Sequence, residues 1–278
     1  MAEPYFLLEG CPVDGMAEFL ESHLSGDIAD YPGGIVIPMD KPLRWTSADL
    51  VRKVKFQAQR LFHDKKLKVG HAGTLDPLAS GMLIICLGKA TKIAEELQSH
   101  EKEYVTTVEF GASTASYDLE QPVDSFYPYE HITRESVEAA LKDFIGEQEQ
   151  VPPIFSAKIV GGLRAYEYAR AGEPVELKRS IITIKEIEIL DWHEAGTRSI
   201  SEEERKGPEA DFSQIRHIHN YHTAETASDG SRPAVTLRIR CTKGTYIRSI
   251  ARDLGLALGS GAYLTALRRT ASGPFRLG

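Results

Sequence analysis

One carboxylate in this chain sits in an unusual setting. Asp76 lies in the segment 70–81, Gly-His-Ala-Gly-Thr-Leu-Asp-Pro-Leu-Ala-Ser-Gly, where Gly70, Gly73, Gly81 and Pro77 interrupt regular structure around it. Glycine opens backbone angles closed to other residues and proline fixes one, so the segment is a shaped loop of the kind that presents a side chain from a rigid scaffold. Taken locally, an Asp before Pro in such a loop is ordinarily a turn former. The alternative is an ionised carboxylate offered as a nucleophile or base. A hydrolase built on Asp76 would need a second acid–base carboxylate or a metal cluster in a matched position, and neither is found. The other chemically capable group is His217, His219 and His222, in a polar, acidic stretch. Imidazole is a common metal ligand, but no cysteine and no paired second cluster accompany these histidines. An insertion loop or an elaborated hairpin is the better reading, and no metal is expected.

The elements that must position Asp76 can be read around it. Met82 to Leu87 is an apolar run between Gly81 and Gly88, short enough to be a buried strand rather than a helix. Earlier, Ile35 to Ile37 reads as a second buried strand ending at Pro38. Ser47 reads as the N-cap of a helix with Leu50, Val51, Val54, Ala58 and Leu61 on one side. Gly88 to Leu97 predicts a helix, and Lys102 to Phe110 alternates as a strand that carries Tyr104. Thr133 to Ile145 is an amphipathic helix stopped by Gly146. Arg179 to Leu190 predicts a strand with strict alternation through Ile182, Ile184, Ile187 and Ile189. Pro233 to Cys241 predicts another, and the segment from Lys243 to Arg248 opens a helix bearing Ile247, Ile250, Ala251 and Leu254. Strands interleaved with helices predict an α/β (mixed α+β) architecture around a mostly antiparallel sheet.

Charge is distributed unevenly. The net charge is −7 over 278 residues, and residues 1–39 hold seven acidic residues and no Lys or Arg, so the remainder is neutral overall. Residues 40–68 hold nine basic and three acidic residues, and residues 238–278 hold eight basic and one acidic. Two basic blocks therefore flank the loop and the last strand–helix segment, and a local basic face matters more for phosphate binding than net charge does. No apolar run approaches the roughly 20 residues that span a bilayer. The N-terminus has no basic start followed by an apolar core, so no signal peptide is expected. Cys11, Cys86 and Cys241 are far apart and lack metal-ligand spacing; a reducing cytoplasm is expected.

The segment 70–92 as a whole, through Leu-Gly-Lys-Ala-Thr-Lys, resembles the catalytic motif of the TruB family of pseudouridine synthases over more than twenty residues. Further segments resemble the same family: Asp40-Lys41-Pro42 with Thr46-Ser47, Lys102-Glu103-Tyr104, Pro152-Pro153 with Ser156-Ala157, the run from Tyr166 to Arg170, the run from Lys243 to Arg248, and the run from Leu267 to Thr270. Residues 111–123 depart from the family pattern: Gly111, Thr114, Ser116 and Asp118 match, but a later glycine is replaced by Leu-Glu-Gln-Pro.

The resemblance implies a pseudouridine synthase fold, a mostly antiparallel mixed sheet flanked by helices with an RNA-binding cleft. It implies that the T-loop uridine of tRNA is isomerised after base flipping. Asp76 is then the catalytic carboxylate and Arg248 its ion-pair partner. Tyr104 stacks on the target base and can act as the second base. His71 fills the space vacated by the flipped base, Leu267 walls the uracil pocket, and Lys41 with Pro42 supports the floor of the site. Thr74, Leu75, Lys243 and Tyr246 complete the substrate-binding set. The implied organisation is an acidic N-terminal extension over 1–34 and a catalytic domain over 35–278 with a polar insertion at 193–232, with no C-terminal PUA domain. A stand-alone monomeric enzyme that acts on the T-arm is expected, with no cofactor, no membrane and no obligatory protein partner. The rival expectation is a tRNA-binding or folding protein on the same scaffold.

Overall fold

The computed structural model describes residues 5–198 and 230–277. In chain order the strands are β1 (Phe6–Leu7), β2 (Ile35–Lys41), β3 (Val69–His71), β4 (Ser80–Leu87), β5 (Lys102–Phe110), β6 (Ala112–Thr114), β7 (Val123–Phe126), β8 (Gly146–Gln150), β9 (Ile159–Val160), β10 (Leu163–Arg164), β11 (Ser180–His193), β12 (Ala234–Cys241), β13 (Ala262–Ser272) and β14 (Phe275–Arg276). The α-helices are α1 (Met16–His23), α2 (Ser47–Leu61), α3 (Ala94–Ser99), α4 (Arg134–Leu141), α5 (Ala165–Ala171) and α6 (Ile247–Ala257). Contacts group the described chain into two compact units, residues 5–102 with 268–277, and residues 103–198 with 230–267. β13 begins in the second and ends in the first.

The first unit is built on β4. Every residue from Gly81 to Leu87 is buried, which is why the run is apolar without alternation. Met82, Ile84 and Cys86 share one core cluster with Val36, Ala72, Leu97 and Phe275. β2 runs antiparallel to β4 from Ile35 opposite Leu87 to Lys41 opposite Gly81. β3 is also antiparallel to β4, with His71 opposite Ile85, and β13 is parallel to it at Arg268 opposite Ser80. The N-terminal segment is part of this unit. β1 pairs in parallel with β2, and Leu8, Cys11, Met16, Leu20 and Leu24 are buried.

Three details of this unit differ from the sequence reading. β2 does not stop at Pro38 but continues to Lys41. Gly34 O and Val36 O accept from Phe6 N and Leu8 N, so the alternate residues 34, 36 and 38 direct their main-chain groups away from β4. The missing N–H of Pro38 therefore interrupts no bond to β4, the edge-type setting in which strands tolerate proline. The cap of α2 is Thr46, not Ser47. Thr46 Oγ1 accepts from Asp49 N at 3.0 Å and Asp49 Oδ2 accepts from Thr46 N at 2.8 Å, a reciprocal capping box. Ser47 is already helical and its hydroxyl is used elsewhere. The expected helix over Gly88 to Leu97 starts as a 3-10 turn, Gly88–Ile93, before α3.

The second unit orders its main strands β13–β5–β12–β11–β8. β11 is antiparallel to both β12 and β8, and α6 supplies buried Ile247, Ile250, Ala251 and Leu254. The alternation of β11 is not strict. Ile184 faces Cys241 and Glu186 faces Arg240, so Lys185 is an extra residue and the strand is re-phased there. That is why the apolar positions step from 184 to 187. Glu109 of β5 is fully buried and receives Tyr263 Oη at 2.8 Å and Arg232 at 3.0 Å, with Arg198 at 3.9 Å. These charges are paired, as burial requires. Most of the expected insertion at 193–232, including His217, His219 and His222, lies outside the described residues. Both units combine sheet and helix, the α+β class expected.

Candidate active site

In the first unit, Asp76 lies on the loop that joins β3 to β4. Ala72 N donates to Ile84 O at 2.9 Å, continuing the β3–β4 ladder into the loop, and Gly73 then turns at φ 99°, an angle that favours glycine. Beyond the carboxylate, Ala79 N donates to Asp76 O at 3.1 Å and Arg44 N to Pro77 O at 2.7 Å. Leu75 is buried, Asp76 is half-buried and Thr74 is exposed. His71 ends β3 at the entrance to the loop. Burial, and then the nearby Arg269 guanidinium, hold its imidazole below the ordinary histidine range, so the ring is neutral at pH 7. Its Nδ1 is buried with no hydrogen-bond partner among the described residues.

Lys41 is completely buried at the end of β2, and its Nζ donates to Pro42 O at 2.8 Å and Trp45 O at 2.6 Å. These bonds shape the turn that leads into α2. Burial pushes the ammonium down to about 7; the charge of Asp76 works against that shift, Arg269 adds to it, and Asp49 and Asp40 oppose it. The folded value lies below the ordinary 10.5, so between about pH 7 and 10.5 the unfolded chain binds more protons and stability from this site rises with pH. Comparing wild type with Lys41→Met in denaturant melts at pH 7 and pH 10 should therefore show the difference moving in favour of wild type at the higher pH. A difference that stays flat would exclude a buried, partly neutralised Lys41.

The second unit carries the other group. Tyr104 is on β5 and only 9 % exposed, and Leu267 is half-buried on the neighbouring strand β13. Arg248 is the second residue of α6 and is buried. Its Nε lies 3.6 Å from Asp118 Oδ2 and a terminal nitrogen donates to Ser116 O at 3.2 Å. Asp118 is itself held: Ser116 Oγ donates to Oδ1 at 2.5 Å, Glu120 N donates to Oδ1 at 2.9 Å, and Thr114 Oγ1 donates to its carbonyl at 2.7 Å. Asp118 Oδ1 thus closes the turn through the segment that departs from the family pattern. Tyr246, at the N-cap of α6, exchanges two bonds with Gln150: Tyr246 N donates to Oε1 at 2.8 Å and Nε2 donates to Tyr246 O at 3.1 Å. Lys243 is exposed.

The first unit therefore gathers His71, Lys41, Thr74, Leu75 and Asp76 about one loop, and the second gathers Arg248 with Asp118. Sequence reasoning missed two members. Asp118 was visible as a matched position but not as the carboxylate that faces Arg248. Ser47 reads as a cap from its type and position, whereas its hydroxyl bonds Leu75 on the Asp76 loop.

Residues 59–207 match the family described as TruB family pseudouridylate synthase (N terminal domain), and residues 248–278 match the tRNA pseudouridylate synthase B C-terminal domain. The chain is 47 % identical over 248 residues to a protein of Phocaeicola vulgatus named tRNA pseudouridine synthase B, covering 89 % of each. It is 48 % identical over 248 residues to the protein of the same name from Bacteroides thetaiotaomicron, again covering 89 % of each. Among solved structures it is similar to a chain in the crystal structure of a Cbf5-Nop10-Gar1 complex, with TM-score 0.54 and 27 % identity, over 87 % of this chain and 50 % of that one. A chain in the structure of an H/ACA RNP bound to a substrate RNA containing 2'-deoxyuridine is similar at TM-score 0.51 and 26 % identity, over 87 % and 49 %. The chain spans about half the length of these solved chains.

Proposed function

We propose that this chain, which belongs to the TruB family of pseudouridylate synthases, is a tRNA pseudouridine synthase, an isomerase that acts on the T-loop uridine at position 55. The observation that carries the reading is the family match over residues 59–207, which contains the whole Asp76 loop. The proteins of the same name at 47 % and 48 % identity support the tRNA substrate. Among the described residues no helix is long and apolar enough to cross a membrane. We place the enzyme in the cytoplasm, acting as a monomer on the T-arm without an obligatory protein partner.

The reaction breaks the C1′–N1 glycosidic bond of a uridine and forms a C1′–C5 bond to the same uracil. Substrate and product contain the same atoms, so no redox cofactor or external energy enters the balance. The target must leave its stack, at a cost of a few kcal/mol, and a flipped base is read by stacking and edge contacts. Asp76 acts ionised, on the base, on the anomeric carbon or by removing a sugar proton. Arg248 supplies the positive charge that keeps a carboxylate ionised in an apolar pocket. Tyr104 stacks on the uracil and takes the C5 proton, directly or through water. His71, neutral at working pH, fills the gap left by the flipped base. Leu267 walls the uracil, and Lys41, Thr74, Leu75, Lys243 and Tyr246 line or support the substrate site. The basic blocks at 40–68 and 238–278 serve phosphates.

The test is tritium release from C5-labelled uridine in unmodified tRNA, followed by mapping of the modified position. Release with modification at position 55 is expected. Tight tRNA binding without release would replace this reading with a tRNA-folding protein, and free uracil in solution would indicate a hydrolase.

A further inference from the structure

The main chain around Asp76 is tied by side chains distant in sequence. Ser47, in the first turn of α2 and 3 % exposed, both accepts from Leu75 N at 2.8 Å and donates to Leu75 O at 3.0 Å. A hydroxyl can do both at once. The carbonyl of Leu75 shares its peptide plane with the nitrogen of Asp76, so Ser47 orients the plane that enters the carboxylate residue. Arg269 holds the loop three residues earlier. Its side chain is buried, Nε donates to Met82 O at 2.6 Å and a terminal nitrogen donates to Gly73 O at 3.0 Å. The backbone of Arg269 is fixed in turn. A Cβ on Gly81 would lie 2.2 Å from Arg269 O, an approach of β4 to β13 that only glycine permits. None of these ties uses the Asp76 carboxylate.

The geometry points to Ser47, together with Arg269, as positioning residues for Asp76. They fix the peptide planes before it so that the carboxylate is held in one orientation towards the substrate. The inference rests on Asp76 being the reacting carboxylate. Holding a reacting group this way acts on the chemical step more than on binding, and a misplacement of about 1 Å can cost roughly 100-fold in rate. Ser47 lies against the loop rather than among the groups proposed to touch RNA, so substrate affinity should be nearly unaffected.

The experiment is single-turnover tritium release at saturating unmodified tRNA, with tRNA affinity and melting temperature measured on the same preparations. Ser47→Ala is expected to slow the step about 10–100-fold with affinity within about twofold of wild type. Ser47→Thr, which keeps the hydroxyl, should stay within about threefold. Arg269→Lys provides one nitrogen where two carbonyls are held and should also slow the step. It carries the same test if Ser47→Ala does not fold. A folded Ser47→Ala as fast as wild type overturns the proposal, as does an affinity loss equal to the rate loss, or a Ser47→Thr as slow as Ser47→Ala. If wild type and Asp76→Asn alike release no tritium, the functional reading itself has failed, and that result is seen in the controls before any Ser47 variant is compared.

Discussion

Asp76→Asn is expected to lower tritium release at least about 10⁴-fold while leaving tRNA affinity within about threefold. The change is nearly isosteric and removes only the charge and the basicity of the group. The ties that shape its loop are made to main-chain atoms: Arg269 to Gly73 O, Ser47 to Leu75 N and O, Arg44 N to Pro77 O, and Ala79 N to Asp76 O. All of these survive the substitution, and the melting temperature measured on the same preparation separates lost chemistry from a lost fold. One secondary effect is built in. Asp76 is among the charges that oppose the depression of Lys41, so the variant should push Lys41 lower still. Stopped-flow binding of labelled tRNA beside the release assay separates the two readings of the chain, because a tRNA-folding protein would bind tRNA as wild type and as variant alike and release no tritium in either form. Residual release within about 100-fold of wild type would remove Asp76 from the chemistry.

Much of this organisation is legible in the sequence where the signal is local. The span of β5, Lys102–Phe110, and the burial of β4 follow from alternation and from an apolar run bounded by glycines. The Asp76 loop is legible because glycines, a proline and one carboxylate occur together without a structural need for all of them. What is not legible depends on distance or on two-for-one pairing. The hydroxyl of Ser47 finds Leu75 twenty-eight positions away, and a good cap residue beside Thr46 gives no hint that its oxygen is committed elsewhere. The pairing of Asp118 with Arg248 spans a still longer stretch of chain. The bulge at Lys185 is an intermediate case: a step of three between Ile184 and Ile187 breaks a period of two, and the extra residue in the β11–β12 ladder is its cause. Pro38 misled in the opposite direction, because a proline ends a strand only if its nitrogen faces a partner.

Arg248→Met should cost about 3–5 kcal/mol of folding stability, because it leaves Asp118 buried without its cation. Both members are nearly inaccessible: the Arg248 and Asp118 side chains are 4 % and 9 % exposed. The loss is held to that range because Asp118 Oδ1 still accepts from Ser116 Oγ and Glu120 N. Urea melts of the variant beside Asp118→Asn measure it. The neutral amide leaves the guanidinium without an anion on that side and should be destabilising too, though a double variant should cost less than the sum, since the two groups share one interaction. Arg248→Lys separates chemistry from stability. The guanidinium sets Nε against Asp118 and a terminal nitrogen against Ser116 O, which fixes the plane of the fork. A lysine keeps the charge but has a single nitrogen to serve both partners, so its head is not held in that plane. The variant should fold with most of the wild-type stability and yet release tritium about 100-fold more slowly. If Arg248→Lys is as fast as wild type, charge alone suffices and the Asp118 anchor serves only the fold. If Asp118→Asn slows the step without lowering the melting temperature, the anchor acts on the direction in which Arg248 presents its charge.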